Sequence, residues 1–569
     1  MKLRWISLLI ALWCSLTATA QVEKQVEVTK AYVPSLEQAV KLAIEPDMTD
    51  TTTLRPEIDY TITPLSLETT LATRPIRPAT VTYWNFNRPR PFYLKAGAGY
   101  PLQSVLDFYA STQNPGTGYV VGYLQHDGRF GTIKNDFGYR NRAERMENRV
   151  GAAIGKYLGR RTLEADLYYR HRHDRRFAMY YPSNGSIPGD RIGYSDANLS
   201  FRIGDDFIDL SRLNFEVALD GTFFMDHSDP IGAIESANQL NASARVKLGR
   251  AWAHHRVGLE AGYRLLDGRN GLDAAREQLL YVGASYGVER KKTTFEVGAN
   301  FVHNQQDGAT FVPGYEADNQ LLPFARFEFA LARKALKPFV ELNSELRIND
   351  YASFTELNPY VVTSLWGEKP TTDYDLKGGL KGSFGRDRFA YRLYAAAQLV
   401  RNHRYWVMPE VSGGMETNYF GGWMTCVQDN LTSFGFGGAL DFRPTTALSF
   451  EVEALFRAFN EETLLPNGEA ELTASFAAHY THRKFRLGVR AEAMSERGWA
   501  YVKADQLTTM TGAFYAPFAI DLQLDFEWIY SSSMTFFVEG HNLANQPLYR
   551  FANYPEYGIN VLVGVRMAF

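Results

Sequence analysis

Residues 450–456 read Phe-Glu-Val-Glu-Ala-Leu-Phe, and residues 485–492 read Phe-Arg-Leu-Gly-Val-Arg-Ala-Glu. In both stretches apolar and polar side chains alternate, so a β-strand would place the apolar side chains on one face. Residues 521–528, Asp-Leu-Gln-Leu-Asp-Phe-Glu-Trp, repeat this pattern. Such runs are about 10 residues long, the length that a tilted strand needs to cross a membrane. The pattern therefore predicts strands of a transmembrane barrel.

The alternation begins near residue 92 and continues to the last residue, Phe569, over about 22 predicted strands. An even number of strands returns both chain ends to the same side of the membrane, which in an outer-membrane barrel is the periplasm. We therefore predict an all-β fold, a closed antiparallel transmembrane β-barrel over residues 92–569.

The links between the predicted strands give an independent test, because from the second hairpin onward they mostly alternate between tight and long. Tight links include 158–160, 249–251, 334–336 and 385–387, and long ones include 128–146, 172–191, 349–371, 400–431 and 495–517. Short periplasmic turns and long extracellular loops are typical of an outer-membrane barrel. The link at 101–102 is an exception, since it is short where a long loop is due.

The first twenty residues predict a secretory signal peptide. Lys2 and Arg4 precede a short apolar run, and Ala18-Thr-Ala20 matches a cleavage site. Cys14 leaves with the signal, so Cys426 is the single thiol of the mature chain and forms no internal disulfide. We interpret it as an inert side chain.

Residues 21–91 differ from the rest of the chain. They are rich in proline and contain the threonine-rich run 49–53. One short helical pattern at 36–43 ends at Pro46, and the remainder predicts irregular chain without a core. We expect a periplasmic or in-lumen segment here.

The composition fits a barrel of the bacterial outer membrane. The 569 residues are 14% aromatic, include 46 glycines and 33 tyrosines, and carry a formal net charge of -3. Mean hydropathy is low because barrel strands alternate apolar and polar side chains. The charge balance gives no reason to expect a nucleic-acid partner. The expected surroundings are outer-membrane lipid and lipopolysaccharide.

The last strand carries a signal of its own. Ile559, Val561, Val563, Val565, Met567 and Phe569 fall on one face, and Phe569 is the final residue. A terminal aromatic strand of this form resembles the signal that the outer-membrane assembly machinery recognises. That machinery is therefore an expected partner.

The C-terminal stretches Phe537-Val-Glu-Gly-His-Asn-Leu-Ala-Asn545, Tyr554-Pro-Glu-Tyr-Gly558 and Val563-Gly-Val-Arg-Met-Ala-Phe569 resemble the end of TonB-dependent receptors. Leu94-Lys-Ala-Gly-Ala-Gly-Tyr100 resembles barrel starts of the Bacteroidetes members of that family. The resemblance covers residues 92–569 and implies a receptor that imports a nutrient. It also implies a globular plug of well over a hundred residues, and residues 21–91 are too few to form one.

No catalytic constellation stands out, and we expect neither an enzyme nor a cofactor. His171-Arg-His173-Asp174 lies where a strand runs into a long loop, and four neighbouring arginines would repel a metal ion. We interpret it as a solvated cationic loop. Asp226-His-Ser-Asp229 contains the letters of a hydrolase triad, but sequence adjacency is not triad geometry, so we interpret it as loop polarity.

The face opposite the apolar side chains is charged. We expect it to line the lumen, because basic side chains that face hydrocarbon cost about 2–4 kcal/mol each near the middle of the bilayer. Its members include Glu164, Asp166, Glu216, Glu341, Glu345, Arg347, Glu451, Glu453, Arg486, Arg490, Glu492, Asp521, Asp525, Glu527 and Glu539. A lumen this wide needs to be filled by residues 21–91, by long loops folded inward, or by another protein.

Two functions remain open at this point. The first is a receptor-like barrel that binds or imports a nutrient. The second is a non-transporting barrel subunit of an outer-membrane complex for assembly, export or scaffolding, with a periplasmic or outer-membrane protein as its partner. The receptor-like barrel favours the first, and the missing plug favours the second.

Overall fold

The computed structural model describes residues 90–112, 116–178, 190–229, 236–272, 275–307, 317–332, 334–362, 369–412, 418–419, 422–460, 465, 468–503 and 506–569. The predicted signal peptide, the helical pattern at 36–43 and nearly all of the segment 21–91 lie outside the described residues.

One closed antiparallel sheet forms the body of the molecule. Its 22 strands are β1 (Phe92–Tyr100), β2 (Gln103–Ser111), β3 (Gly118–Arg129), β6 (Arg145–Leu158), β7 (Arg161–Arg175), β8 (Arg191–Asp205), β9 (Asn214–Asp226), β10 (Ala237–Trp252), β11 (His255–Asn270), β12 (Arg276–Arg290), β13 (Thr293–Asp307), β14 (Ala317–Phe329), β15 (Lys337–Arg347), β16 (Thr371–Phe384), β17 (Phe389–Ser412), β19 (Thr425–Thr445), β20 (Leu448–Asn460), β21 (Leu472–Thr481), β22 (Phe485–Met494), β25 (Ala519–Ile529), β26 (Met534–His541) and β29 (Asn560–Ala568).

The remaining elements lie in the links between barrel strands. They are the hairpins β4 (Thr132–Lys134) with β5 (Arg140–Arg142), β23 (Arg497–Lys503) with β24 (Gln506–Ala516), and β27 (Tyr549–Phe551) with β28 (Tyr554–Pro555), the short strand β18 (Asn418–Tyr419), and the helix α1 (Tyr351–Leu357). No helix in the described part of the chain is long and apolar enough to cross a bilayer.

The first and last strands close the barrel. β1 pairs with β29 in antiparallel register, and Phe92 and Phe569 exchange backbone hydrogen bonds of 3.0 Å in both directions. Gly97 and Gly564 face each other across this seam, where the ring of Phe537 approaches so closely that a Cβ at either glycine would lie 3.1 or 2.5 Å from it. Both barrel ends of the chain are therefore at the same end of the barrel, as predicted.

All 22 predicted strands are present. The predicted alternation of link lengths also holds, so we call the end with the short turns the inner end and the end with the long links the outer end. Strand heights differ around the wall. β1, β2 and β29 have 9 residues, whereas β17 has 24 and β19 has 21, so these two strands rise well above the seam.

The two faces of the wall differ as the alternation predicts. Leu167, Leu199, Phe436 and Val563 point outward and are 58%, 58%, 71% and 53% exposed. The neighbouring inward side chains are charged and paired with one another: Lys95 with Glu539 at 3.2 Å, Arg566 with Glu539 at 2.7 Å. Apolar side chains in contact with lipid and charges in a wet interior satisfy both environments.

Candidate functional site: a loop cap over the barrel lumen

The outer links fold together and cover the mouth of the barrel. We define the loop cap as residues 130–144, 176–178, 348–362, 405–408, 424–426, 497–503 and 542–559. Each of these segments contributes side chains to one or both of two buried apolar clusters. The sequence left three possibilities for what fills the lumen, and one of them was long loops folded inward. The structure shows such loops.

Aromatic rings form the centre of the cap. Tyr360 stacks on Tyr554 with 3.6 Å between ring centroids, and Phe177 and Phe551 meet this pair edge-on at 4.9 and 5.9 Å. Burial raises the pKa of both tyrosines, so their hydroxyls stay protonated. Three separate links, 176–178, 348–362 and 542–559, thereby meet at one point.

The helix α1 anchors the cap to the inner wall. Its N-cap residue Asp350 accepts a hydrogen bond from the backbone N–H of Ser353, which satisfies one free amide of the first turn. Gln239 on β10 donates to Asp350 at 2.5 Å and accepts from the backbone N–H of Ala352 at 3.1 Å. The hydroxyl of Tyr351 donates to Asp226 at the end of β9 at 2.6 Å.

Two arginines of β7 hold the other end of α1. Arg172 donates to the backbone oxygen of Thr355 at 3.1 Å and to its hydroxyl at 3.2 Å, and Arg170 pairs with Glu356. Desolvation opposes ionisation of Glu356, but Arg172 and Arg170 outweigh it and hold the pKa of this carboxyl below its usual value. Tyr194 of β8 donates to the backbone oxygen of Pro359 at 3.0 Å. Polar contacts from four neighbouring strands therefore fix α1.

Two of these anchors come from motifs that the sequence singled out. The segment from His171 to Asp174 is not the solvated cationic loop that we expected, because β7 continues to Arg175 and places Arg172 and Asp174 in the interior. Asp226 also accepts from the backbone N–H of Ser228, at 2.8 Å, and forms no triad. The partners of Arg172 and Asp226 belong to α1, which lies more than a hundred positions away in the chain. The sequence around each motif therefore could not reveal them.

The two histidines of β7 have separate partners. His171 lies 3.0 Å from the hydroxyl of Ser195, whereas His173 lies 3.7 Å from Glu144. Within the described ranges, no three His, Cys, Asp or Glu side chains gather where they could hold a metal ion.

The aromatic residues near strand ends divide into two groups. Trp252 and Trp528 are 50% and 46% exposed and lie near the inner end of their strands, where girdle residues are expected. Tyr405, Trp406 and Trp499 are at most 5% exposed and pack in the cap. Alternation cannot separate these groups, because both lie near strand ends.

Below the cap, the inner wall borders a cavity of about 900 Å³. Its polar lining includes Glu164, Asp166, Arg202, Asp220, Arg245 and Arg264, and Ile348 of the cap borders it as well. Several of these charges are paired: Arg202 lies 3.3 Å from Glu164 and 2.7 Å from Glu216, which Arg245 approaches to 3.0 Å. The lining therefore combines apolar side chains with charged ones, and the charges are nearly balanced.

No family model matches the chain, and no curated protein matches it. Solved structures do match. The copper transporter OprC aligns with a TM-score of 0.61 at 13% identity, over 84% of this chain and 80% of that one. The FrpB iron transporter from Neisseria meningitidis (F3-3 variant) aligns with a TM-score of 0.62 at 10% identity, over 84% and 81%. The barrel has the fold of TonB-dependent receptors.

A third structure, the ferric-catecholate import receptor Fiu from K12 E. coli, aligns with a TM-score of 0.59 at 10% identity, over 85% of this chain and 82% of that one. The receptor fold and the apolar outward face place the chain in the outer membrane as a multi-pass β-barrel. The described residues form the barrel and its links, and within them there is no separate plug domain.

Proposed function

We propose that this protein is an outer-membrane receptor that binds a polar nutrient at its outer face and passes it into the lumen when the loop cap opens. The observation that carries the proposal is the attachment of α1 to the inner wall, on the same link as Ile348, which borders the cavity. Polar side chains from four wall strands hold α1 in place, and such contacts exchange more readily for water than a continuous β-sheet does. The similar structures named above are transporters and an import receptor, which supports the same reading.

The experiment restricts the movement of α1. A double variant, Gln239→Cys with Ala352→Cys, places thiols at two residues that are in hydrogen-bond contact. Because this hydrogen bond spans a whole glutamine side chain, a short bifunctional methanethiosulfonate should bridge the two thiols and lock the cap, and reduction should release it. In a deletion strain, the locked protein should fail to restore growth on limiting nutrients, and adding a reductant should restore it. Equal growth with and without the crosslink would rule out a transport role for this movement. Each single-cysteine variant is the control.

The alternative is a non-transporting subunit of an outer-membrane complex. The length of the β17–β19 hairpin favours it, because β17 continues beyond its pairing with β16 and pairs there with β23. Purification from native membranes in mild detergent distinguishes the two functions. A constant stoichiometric partner, together with unimpaired nutrient-limited growth of the deletion strain, supports the subunit.

A further inference from the structure

Three sulfur-containing side chains lie in the buried centre of the cap. Met408 at the outer part of β17 and Met424 just before β19 are both 0% exposed, and Cys426 on β19 is 3% exposed. All three belong to the same buried cluster. The single thiol of the mature chain therefore shares its surroundings with two thioethers.

The strand register places the three side chains on one face. Trp406 lies opposite Cys426 and Val407 lies opposite Thr425 in the antiparallel pairing of β17 with β19. Met408 is two residues beyond Trp406, and Met424 is two residues before Cys426, so both side chains point to the face of that pair. Diagonal neighbours across antiparallel strands are within reach of long side chains such as methionine.

Carboxamides from two other links reach the same point. Asn358 donates to the sulfur of Met424 at 3.1 Å, and Asn553 donates to the sulfur of Met408 at 3.4 Å. Asn358 belongs to the link that carries α1, and Asn553 belongs to the link that carries Tyr554. The two methionine sulfurs therefore lie where both links meet the β17–β19 hairpin.

We propose that Met408, Met424 and Cys426 form a binding site for one soft monovalent metal ion, Cu(I) or its redox-inert counterpart Ag(I). Thioether and thiolate sulfur are the ligands that select Cu(I), whereas hard cations prefer oxygen. Binding replaces the proton of the Cys426 thiol, which leaves to solvent, and forms a sulfur–metal bond. A monovalent ion with one thiolate is neutral. A divalent ion would leave an uncompensated charge in an apolar cluster, which is costly.

A metal ion at this place acts on the cap. It ties β17 to β19 beside Asn358 and Asn553, so it stabilises the arrangement in which both links are folded inward. Ligands that bind only one state of a protein shift the population toward it. We therefore infer that the soft ion favours the closed cap. This site does not depend on the proposed transport function, because metal binding is measured without transport.

The test uses the full-length protein in detergent and chloride-free buffer, with Ag(I) as the probe. Equilibrium dialysis should find one Ag(I) per chain. Met408→Leu and Met424→Leu should each weaken binding about tenfold or more, and Cys426→Ser should abolish it. Met510→Leu is the matched control, because Met510 is 47% exposed on β24 and lies outside the cluster.

X-ray absorption of the wild-type protein with Ag(I) does not depend on how the variants fold. Three sulfur neighbours per silver ion support the site. A shell with one sulfur, Ag(I) binding that both leucine substitutions leave unchanged, or the absence of stoichiometric binding would each overturn the proposal. The second of these results means that the thiol binds alone.

Discussion

The ring of Tyr360 stacks on the ring of Tyr554, with 3.6 Å between centroids and 12° between ring planes. Tyr360 belongs to the link between β15 and β16, and Tyr554 belongs to the link between β26 and β29. The two links start on strands that are far apart around the barrel, so this contact bridges the mouth. It is the shortest ring contact in the described part of the chain, and the cap is organised around it.

Removing one ring of this pair should open the cap. We expect Tyr554→Ala to cost about 3 kcal/mol or more in local stability, since truncation of a buried aromatic side chain leaves a cavity. The single-channel conductance in planar bilayers should rise, and cells should become sensitive to vancomycin, which is too large for a closed pore. Tyr100→Ala is the control, because Tyr100 is 72% exposed at the outer rim. Unchanged conductance in Tyr554→Ala would mean that the cap does not close the lumen.

The attachment of α1 should weaken in acid. The pKa of Glu356 is lowered in the folded protein, chiefly by Arg172 and Arg170 acting against desolvation. A carboxyl of this kind contributes stability above its unfolded pKa and loses the contribution as pH falls through the folded pKa. The protection of the α1 backbone amides, taken relative to the intrinsic exchange rate at each pH, should therefore fall once the pH drops below the usual carboxyl range.

The matched variant for this effect is Glu356→Gln, which keeps the size of the side chain and removes its charge. Its amide protection should be lower at neutral pH and should lose most of the dependence on acid. If wild type and variant respond equally to acid, another group controls the docking of α1.

Neighbouring residues on opposite faces of β8 should respond in opposite ways to arginine. Leu199 points outward and is 58% exposed, whereas Ser200 lines the lumen cavity. We expect Leu199→Arg to lower the free energy of unfolding by about 2–4 kcal/mol, because a charge then faces hydrocarbon. Ser200→Arg should change it by less than about 1 kcal/mol, since its charge lies in a wet interior. The measurement is urea unfolding in lipid vesicles, and equal losses in both variants would contradict the assigned orientation of the wall.

The final residue should matter for assembly. Phe569 is 53% exposed and hydrogen-bonds through its backbone to Phe92 at the closing seam. We predict that Phe569→Ala lowers the fraction of heat-modifiable, folded protein in the outer membrane, because the assembly machinery reads the terminal aromatic strand. Phe442→Ala is the control, since Phe442 is 44% exposed on β19, away from the terminus. If both variants assemble equally well, the terminal ring carries no signal.

The barrel was predictable because its signal is local. In runs such as 450–456, each side chain faces lipid or lumen according to whether its position is odd or even, so alternation reveals both the strand and its orientation. The alternating run at 485–492, for example, lies within the observed strand β22, Phe485–Met494. The charged lumen face followed from the same alternation.

The cap was not predictable in this way. Its contacts join residues far apart in the chain: Tyr351 and Asp226 are 125 positions apart, and Arg172 and Thr355 are 183 apart. The helix α1 has 7 residues, too few to show a clear period. The segment 349–371 therefore showed only as a long loop, and the sequence could not decide which of the expected fillings closes the lumen.

The alternating pattern alone specifies a closed transmembrane barrel, because each strand must satisfy lipid on one side and water on the other. How the outer links fold together, and what Cys426 lies beside, depends on contacts between distant parts of the chain. Loop residues do not have to alternate between lipid and water. Their arrangement depends instead on aromatic contacts and ion pairs between side chains that are far apart in the chain.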